Sequence, residues 1–306
     1  MAIKTEMLRY FVEVAEAGNL ANAAKVLKRS PAAVSMMLKQ FEAELGAPLF
    51  LTDRKNQLTE LGVHTLGEAK RELAHFDGTV TSIVHFAESG EGQVRAAVIP
   101  AAAANLMPNV VKILHKENPN IRVDIDDLTN ESAIAGVRAE TVDIGIVNEL
   151  VLWGSSSIRH SVILTDRIGL LCARDSELGR KVNLYWSDVA KTRMISHFLC
   201  NKIQEPEIRK AVTSARLHVM SALSIQAFVR GGEYVSPMPE LGGISLPSDL
   251  VFRVPEGNEY WRSIYLIWND NRKPTPATVR FCNVMRRTIA DMGMAPKSDV
   301  GDVFPS

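Results

Sequence analysis

The pattern of apolar residues changes at the segment SGEGQ, residues 89–93. Before it, apolar residues recur every three or four positions, which is typical of helices. After it, short apolar runs alternate with helix-length segments, which is typical of an α/β domain. A chain of 306 residues is also too long for one ordinary core. We therefore expect a helical domain at residues 1–61, a linking helix and hinge at 62–90, and an α/β domain at 91–306.

The beginning of the chain predicts three helices separated by short breaks. Thr5 is expected to cap the first helix, which ends near Gly18, and Asn19 to cap the second. Ser30 and Pro31 combine a capping side chain with a proline suited to a first helical turn, so a third helix begins there. Two short helices joined by a tight turn make a helix-turn-helix motif. The polar segment LTDRKNQ that follows predicts a small two-stranded wing.

The third helix has two different faces. Its apolar residues share one narrow stripe, which we expect to be buried: Val34, Leu38, Phe41 and Leu45. Small or lightly polar residues occupy the opposite side: Ala32, Ala33, Ser35, Met36, Lys39 and Gln40. Such a face allows close approach of the helix backbone, and the major groove of B-DNA admits one helix. Serine and glutamine can hydrogen-bond base edges there, and alanine and methionine can contact thymine methyl groups.

Basic residues are concentrated around this helix, although the whole chain has a net charge of zero. Over residues 25–55, six lysines and arginines stand against three acidic residues. DNA phosphates attract such a patch, and phosphate contacts position a protein on the duplex. The alternative that remains open is a helical packing module that binds no DNA.

Residues 61–88 predict one long helix with a single apolar seam. The seam consists of residues spaced at three, four and seven: Leu66, Leu73, Phe76, Val80, Ile83 and Phe86. The neighbouring domain is too small to cover so long a seam, so we interpret the helix as a dimerisation element. The alternative is a helix that lies on its own domain.

The rest of the chain predicts two α/β lobes with a cleft between them. Residues 94–147 contain three strand patterns with intervening helices, which favours a parallel sheet with right-handed crossovers. The same alternation returns over residues 193–238. The extended stretch SVILTDRIGLLCARD joins the two halves, and a helix over residues 275–293 closes the chain.

Composition and motifs argue against several other classes of protein. Hydrophobic residues make up 46% and charged residues 23%, which is typical of a globular protein. No apolar run approaches the ~20 residues of a membrane span, and no signal-peptide pattern occurs, so we expect a cytoplasmic location. The three cysteines, Cys172, Cys200 and Cys282, lack the spacing of a zinc site or a disulfide framework. No catalytic or phosphate-binding motif occurs, so we expect no enzyme activity and no cofactor or metal.

The first 88 residues resemble the LysR-type transcriptional regulators. The dense match is LRYFVEVAEAGNLANAAKVLKRSPAAVSMMLKQFEAELGAPLF, followed by LTELG, and weaker landmarks are AETVDIGIV and VRGGEYVSPMPE. The resemblance implies a winged helix-turn-helix domain, a long linker helix, and a two-lobed effector-binding domain like a periplasmic binding protein. It implies a sequence-specific DNA-binding regulator controlled by a small-molecule effector. It also implies a homodimer or homotetramer, an operator with dyad symmetry, and RNA polymerase as a further partner.

The resemblance also assigns site residues. The third helix and wing supply a DNA-contacting set: Ser30, Ala32, Ala33, Ser35, Met36, Lys39, Arg54 and Lys55. Strand ends and helix N-termini of the two lobes supply an effector-contacting set: Pro100, Ala101, Ala102, Asn130, Asn148, Ser196, His197, Ser221 and Ser236. Unpaired N–H groups at helix N-termini favour an anionic ligand. Polar contacts are expected from Ser196 and His197, because the segment PAAAAN after the first strand has no hydroxyl. The alternative for His197 is a hydrogen-bonded histidine at a strand end.

Three other functions remain as alternatives. An enzyme could use His197 and Cys200 as a nucleophilic pair, although three residues of separation in a predicted loop is a weak arrangement. A redox sensor would need reactive cysteines in an electropositive setting, and Cys200 is the one in a predicted loop. A binding protein without a DNA function would not need the first 88 residues.

Overall fold

A computed structural model describes residues 3–51, 55–150, 157–189 and 191–296. The chain divides into two compact units, Met1–Val84 and His85–Ser306. The first unit is helical and the second combines helices with a large sheet, which confirms the predicted fold class. None of the helices in these described ranges combines the length and apolarity of a membrane span.

In its described residues the first unit has four helices, and the last of them continues beyond it: α1 (Thr5–Ala17), α2 (Leu20–Val26), α3 (Pro31–Leu45) and α4 (Glu60–Ser89). Two of the predicted caps are confirmed. The Asn19 side chain accepts a hydrogen bond from Asn22 N–H at 2.8 Å. The Ser30 hydroxyl accepts one from Ala33 N–H at 3.2 Å. The prediction for Thr5 is wrong, because α1 already includes that residue and Lys4 precedes it as the cap.

The buried stripe of α3 is also confirmed. Val34, Leu38 and Phe41 are at most 1% exposed, and Leu45 is half-buried. Phe11 of α1 packs edge-on against Phe41, with ring centroids 5.9 Å apart. This packing fixes which face of α3 turns outward. At the base of the predicted wing, residues 50 and 58 form an antiparallel bridge, and residues 52–54 lie outside the described part.

Helix α4 changes character along its length. Near its start, a Cβ on Gly62 would lie 2.1 Å from the Leu49 carbonyl oxygen, so glycine allows the close approach of the helix to the first core. Ala69 and Leu73 are buried about two and three turns later. Farther along, the seam residues are between 42% and 64% exposed: Phe76, Val80, Ile83 and Phe86. The first half of the seam therefore lies on its own domain, and the second half does not.

The second unit contains a nine-stranded mixed sheet. Its strands are β1 (Gln93–Val98), β2 (Arg122–Asp127), β3 (Ile144–Val147), β4 (Ile158–Ala173), β5 (Arg193–Ser196), β6 (Leu217–His218), β7 (Tyr234–Pro239), β8 (Leu250–Arg253) and β9 (Tyr260–Asn269). Its helices are α5 (Pro100–Asn105), α6 (Met107–Glu117), α7 (Asn130–Arg138), α8 (Glu177–Arg180), α9 (Trp186–Val189), α10 (Pro206–Thr213), α11 (Ala222–Arg230) and α12 (Pro276–Asp291). The strand order is β2-β1-β3-β9-β4-β7-β5-β6, and β8 pairs with β4.

The two predicted lobes appear as two parallel groups of strands. Strand β1 pairs in parallel with β2 and β3, which form lobe 1 with α5, α6, α7 and α12. Strand β5 pairs in parallel with β6 and β7, which form lobe 2. Two antiparallel strands, β4 and β9, join the lobes. Because both β4 and β9 connect the lobes, the chain passes between them twice through strands. The sequence analysis predicted β4 but neither β8 nor β9.

The strand register places the carboxyl ends of the two lobes opposite each other. Strand β3 ends at Val147, whose partner Tyr265 pairs with Val162 of β4. Strand β7 ends at Pro239, which pairs with Ile168 of β4. Both strands run towards the middle of the β4–β9 pair. The two edges therefore face each other across residues 162–168, a span of about 20 Å at about 3.3 Å per residue.

Candidate DNA-binding face and effector cleft

The outer face of α3 is accessible in this structure. Met36 is 70% exposed, and Ala32, Lys39 and Gln40 are exposed as well. Ala33 and Ser35 are half-buried beside them. Ser30 is exposed, but its hydroxyl already serves as the cap of the helix. The sequence-predicted face is thus brought together on one side of one rigid helix.

Exposed basic side chains surround the start of this helix. Lys25, Lys28 and Arg29 lie in and before the turn that leads into α3. The Arg29 Nε–H donates to the Tyr10 hydroxyl at 3.1 Å, and this bond raises the pKa of the arginine. Tyr10 itself is buried in the first core, so it fixes the direction of the guanidinium. This orientation of Arg29 was not predicted from the sequence, because it depends on a partner from α1.

Lys55, a predicted wing contact, has partners within its own domain. Its side chain is 13% exposed, and its Nζ lies 3.5 Å from a Glu42 carboxylate oxygen and 5.1 Å from the Phe50 ring centroid. In the chain alone, a carboxylate and an aromatic face hold this lysine at the base of the wing. Arg54, the other predicted wing contact, lies outside the described residues.

The predicted effector residues of lobe 1 lie at the carboxyl ends of β1 and β3 and at the start of α7. Pro100 is exposed and Ala101 half-buried, whereas Ala102 has no exposed surface and belongs to the core. Asn130 and Asn148 bind each other: the Asn130 amide donates to Asn148 Oδ1 at 2.8 Å, and the Asn148 N–H donates to Asn130 Oδ1 at 3.0 Å. Thr129 caps α7, so Asn130 is free of that role.

In lobe 2, His197 is a buried histidine whose two ring nitrogens both have partners. Its Nδ1 accepts from Leu199 N–H at 3.4 Å, so Nε2 carries the proton and donates to the Pro237 carbonyl at 2.9 Å. The Ser236 hydroxyl lies 2.9 Å from the same Nε2. Burial lowers the pKa of His197 to about 4, which keeps the ring neutral. These contacts match the second of the two interpretations of His197, a histidine that is hydrogen-bonded within the protein at a strand end.

The remaining residues of lobe 2 differ in accessibility. Ser236 has no exposed surface, so its side chain cannot touch a ligand in this conformation. Ser196 is half-buried, and its hydroxyl lies 3.2 Å from Nδ1 of the exposed His218. Ser221 is exposed and caps α11. His218 was missed by the sequence analysis, although the short β6 pattern and the parallel pairing of β5 would place it beside Ser196.

The cysteines have no features of a redox site. All three are buried thiols. Burial raises the pKa of Cys172 and Cys282 to about 12 and also raises the pKa of Cys200. A thiol with a raised pKa forms little of the thiolate that reacts with oxidants. Among the described residues, no group of histidine, cysteine and carboxylate side chains has the arrangement of a metal site.

Comparison with known proteins identifies both parts of the chain. The model of the LysR substrate binding domain matches residues 87–290, and the model of the bacterial regulatory helix-turn-helix protein of the lysR family matches residues 5–63. The HTH-type transcriptional regulator YbhD of Escherichia coli is 30% identical over 61% of this chain and 59% of its own length. The HTH-type transcriptional regulator YfeR of Shigella flexneri is 25% identical over 94% of each chain.

Solved structures show the same fold over the full length. Full-length CbnR, solved in complex with its target DNA, aligns with a TM-score of 0.74 and 22% identity over 94% of this chain and 100% of that chain. The matching families and relatives are transcriptional regulators and not enzymes. The substrate-binding-domain model alone covers more than half of the sequence. On these grounds the chain belongs to the LysR family of bacterial helix-turn-helix transcriptional regulators.

Proposed function

We propose that the chain is a cytoplasmic homodimer or homotetramer that binds operator DNA through α3 and responds to a small anionic effector in the cleft between its lobes. The observation that carries this proposal is the division of α3 into a buried stripe and an accessible, weakly basic face. In functional terms we divide the chain into a DNA-binding domain at residues 1–61, a linker at 62–90 and an effector domain at 91–306.

The outer face of α3 has the dimensions and chemistry of a major-groove reader. Ala32 and Ala33 keep the helix surface low, so its backbone can come close to base edges. Met36 presents an apolar thioether to thymine methyl groups, and Ser35 and Gln40 supply hydrogen bonds on either side. Lys39 and Arg29 approach phosphates. Ser30 acts mainly by capping the helix.

The exposed half of the α4 seam supports dimer formation. An apolar stripe on a helix is stabilised by burial against a second helix, and a second copy of the chain supplies one with the same stripe. Two copies related by a dyad present two α3 helices to half-sites of an operator with dyad symmetry. Pairing of effector domains would extend the dimer to a tetramer. RNA polymerase remains a predicted partner of the assembly on DNA.

The effector proposal depends on the two facing strand edges. At the lobe 2 edge, the first turn of α11 contains no acidic residue, and Ser196, His218 and Ser221 lie around it. Its unpaired N–H groups therefore favour a carboxylate or another small anion there. At the lobe 1 edge, the amides of Asn130 and Asn148 supply neutral donors and acceptors. An effector changes the regulator only by binding one arrangement of the lobes more tightly than another.

The DNA proposal is tested with the double variant Ser35→Glu/Lys39→Glu. Neither side chain belongs to the buried stripe, so the fold remains intact while the face becomes acidic. A duplex selected from a random library by the unmodified chain is used in a mobility-shift titration. We expect affinity to fall at least 100-fold, because phosphate attraction becomes repulsion on both half-sites.

The matched control places the same charge change in the other compact unit, in the variant Lys112→Glu/Ser245→Glu. Both positions are exposed and lie in the effector domain. We expect this control to keep nearly full affinity. Equal loss in both variants, or none in the α3 variant, would remove α3 from its proposed role.

The effector proposal is tested by thermal shift with a panel of small carboxylates, each paired with its neutral amide. We expect the acid to stabilise the full chain and the amide to have a smaller effect, because binding to the folded state alone raises its stability. Substitution Ser221→Ala should weaken the response. Preference for the amides would contradict the anionic charge of the effector.

A further inference from the structure

A second cavity lies where the chain connects the two lobes, and its lining residues are not those of the cleft prediction. Its volume is about 310 Å³, and we name it the hinge pocket. It is lined by Thr165, Arg167, Glu240, Glu259, Trp261 and residues 292–295. A volume of this size is at the lower end of pockets that bind small organic molecules.

Both strands of the lobe connection contribute to the hinge pocket. Arg167 of β4 and Trp261 of β9 are direct cross-strand partners, so their side chains share one face of the pair. Glu240 directly follows β7 of lobe 2. Met292 and Met294 follow α12 of lobe 1, and the Met294 carbonyl accepts from Thr165 N–H at 3.3 Å. The pocket is therefore built from segments of both lobes.

The charges of the hinge pocket favour a cation. The Arg167 guanidinium already donates two hydrogen bonds to Glu240, at 3.0 and 3.2 Å, and this pairing lowers the pKa of the glutamate. Glu259 is exposed and adds a second carboxylate, so the acidic groups outnumber the basic one. An anionic ligand would meet this second carboxylate and an arginine whose charge Glu240 already balances.

The apolar lining of the hinge pocket favours an organic cation over a hydrated metal ion. Trp261 is 38% exposed, and indole is the aromatic side chain that attracts cations most strongly. Met292 and Met294 are half-buried thioethers that adapt to irregular apolar shapes. An ammonium group with alkyl or aryl substituents matches an indole face, thioether surface and carboxylates together.

We propose that the hinge pocket is a binding site for a small organic cation of the substituted-ammonium class. The cation contacts the indole of Trp261, and Glu259 balances its charge. Because Glu240 and Met294 come from different lobes, the bound cation stabilises one relative arrangement of the lobes. This site is independent of the anionic effector proposed for the cleft, and neither proposal requires the other.

The test is a fluorescence titration of the full chain with choline and tetraethylammonium, with 3,3-dimethylbutan-1-ol as the neutral analogue of choline. All four tryptophans lie in the second unit, and Trp261 is the most exposed of those in the described residues. We expect saturable quenching by at least one cation and at least tenfold weaker binding of the alcohol. Isothermal titration calorimetry supplies a readout that does not depend on tryptophan.

Two variants and a control locate the binding. Trp261→Leu should weaken cation binding on the order of tenfold by calorimetry. Glu259→Gln, at an exposed position with little effect on folding, should weaken it several-fold. Tyr185→Leu changes an exposed aromatic residue outside the pocket and should leave binding unchanged. Absence of saturable binding by both cations, equal binding of the alcohol, or unchanged binding in Glu259→Gln would overturn the proposal.

Discussion

Polar side chains on the outer face of α3 are exposed to solvent, whereas those at the facing strand edges of the lobes are hydrogen-bonded to other protein groups. On α3, Lys39 and Gln40 extend into solvent. At the strand edges, Asn130 binds Asn148, and His197 binds Ser236 and Pro237 of β7. If α3 binds DNA as proposed, its side chains exchange contacts with water for contacts with DNA on a face that is already formed. An effector that uses the edge residues must instead exchange protein hydrogen bonds, so its binding is coupled to rearrangement of the lobes.

The largest effect that tests this comparison is expected from His197→Ala. The substitution leaves the Pro237 carbonyl, the Ser236 hydroxyl and the Leu199 N–H without their buried partner. We expect the free energy of unfolding of the effector domain to fall by about 3 kcal/mol. Urea unfolding followed by tryptophan fluorescence measures it, since all four tryptophans lie in this domain. His218→Ala, at an exposed position, is the control, with an expected change of about 0.5 kcal/mol or less.

The same histidine predicts a dependence of stability on pH. Its pKa is about 4 in the folded chain against an ordinary value of 6.5, so the unfolded chain takes up a proton that the folded chain does not. The contribution of His197 is therefore fully present above pH 6.5 and is lost as the pH falls to about 4, by about 3 kcal/mol in total. Subtracting the urea-unfolding free energy of His197→Gln at each pH isolates this term. Identical pH profiles for the two proteins would contradict the buried, neutral histidine.

A smaller effect is expected at Ser30, whose side chain is both exposed to solvent and hydrogen-bonded within the protein. It is exposed beside the proposed DNA-binding face, and its hydroxyl caps α3. Ser30→Ala should destabilise the helix by about 1 kcal/mol, whereas Ser30→Gly should cost only a few tenths, because glycine is tolerated as a cap. Hydrogen exchange of the α3 amides measures the cap. If DNA affinity falls equally in both variants, the hydroxyl contacts DNA directly.

The sequence predicted the helix caps of the first unit better than the hydrogen bonds at the strand edges of the second, and the physical reason is the distance between interacting residues. Gly18, Asn19 and Ser30 act on amides or carbonyls three or four residues away, so their roles are visible in a short stretch. The ion pair between Lys55 and Glu42 was not predicted, because Glu42 lies across a turn and a basic residue in a wing suggests a phosphate contact. Burial and pairing decided its orientation.

The effector domain depends on pairings that no short stretch reveals. Strand β9 pairs with β4 at a separation of about a hundred residues, and its second partner is β3. His197 is satisfied by Ser236 and Pro237, which lie 39 and 40 residues away. The alternation of strand and helix patterns correctly predicted both lobes and the approximate positions where their strands end. Which polar groups at those ends are already paired depends on the strand register.

The smallest change in stability is expected from Lys39→Gln, and this variant isolates the exposed side of the comparison. Lys39 is exposed and has no place in the buried core, so unfolding should change by less than about 0.5 kcal/mol. The salt dependence of DNA binding should change instead: the slope of log K against log salt should fall by about 0.9 for each half-site, because one phosphate contact is lost. Lys112→Gln, in the effector domain, should leave the slope unchanged. A loss of affinity without a change of slope would mean that Lys39 contacts a base edge and not a phosphate. Lys39 would then contribute to sequence specificity together with Met36, for which we propose contacts with thymine methyl groups.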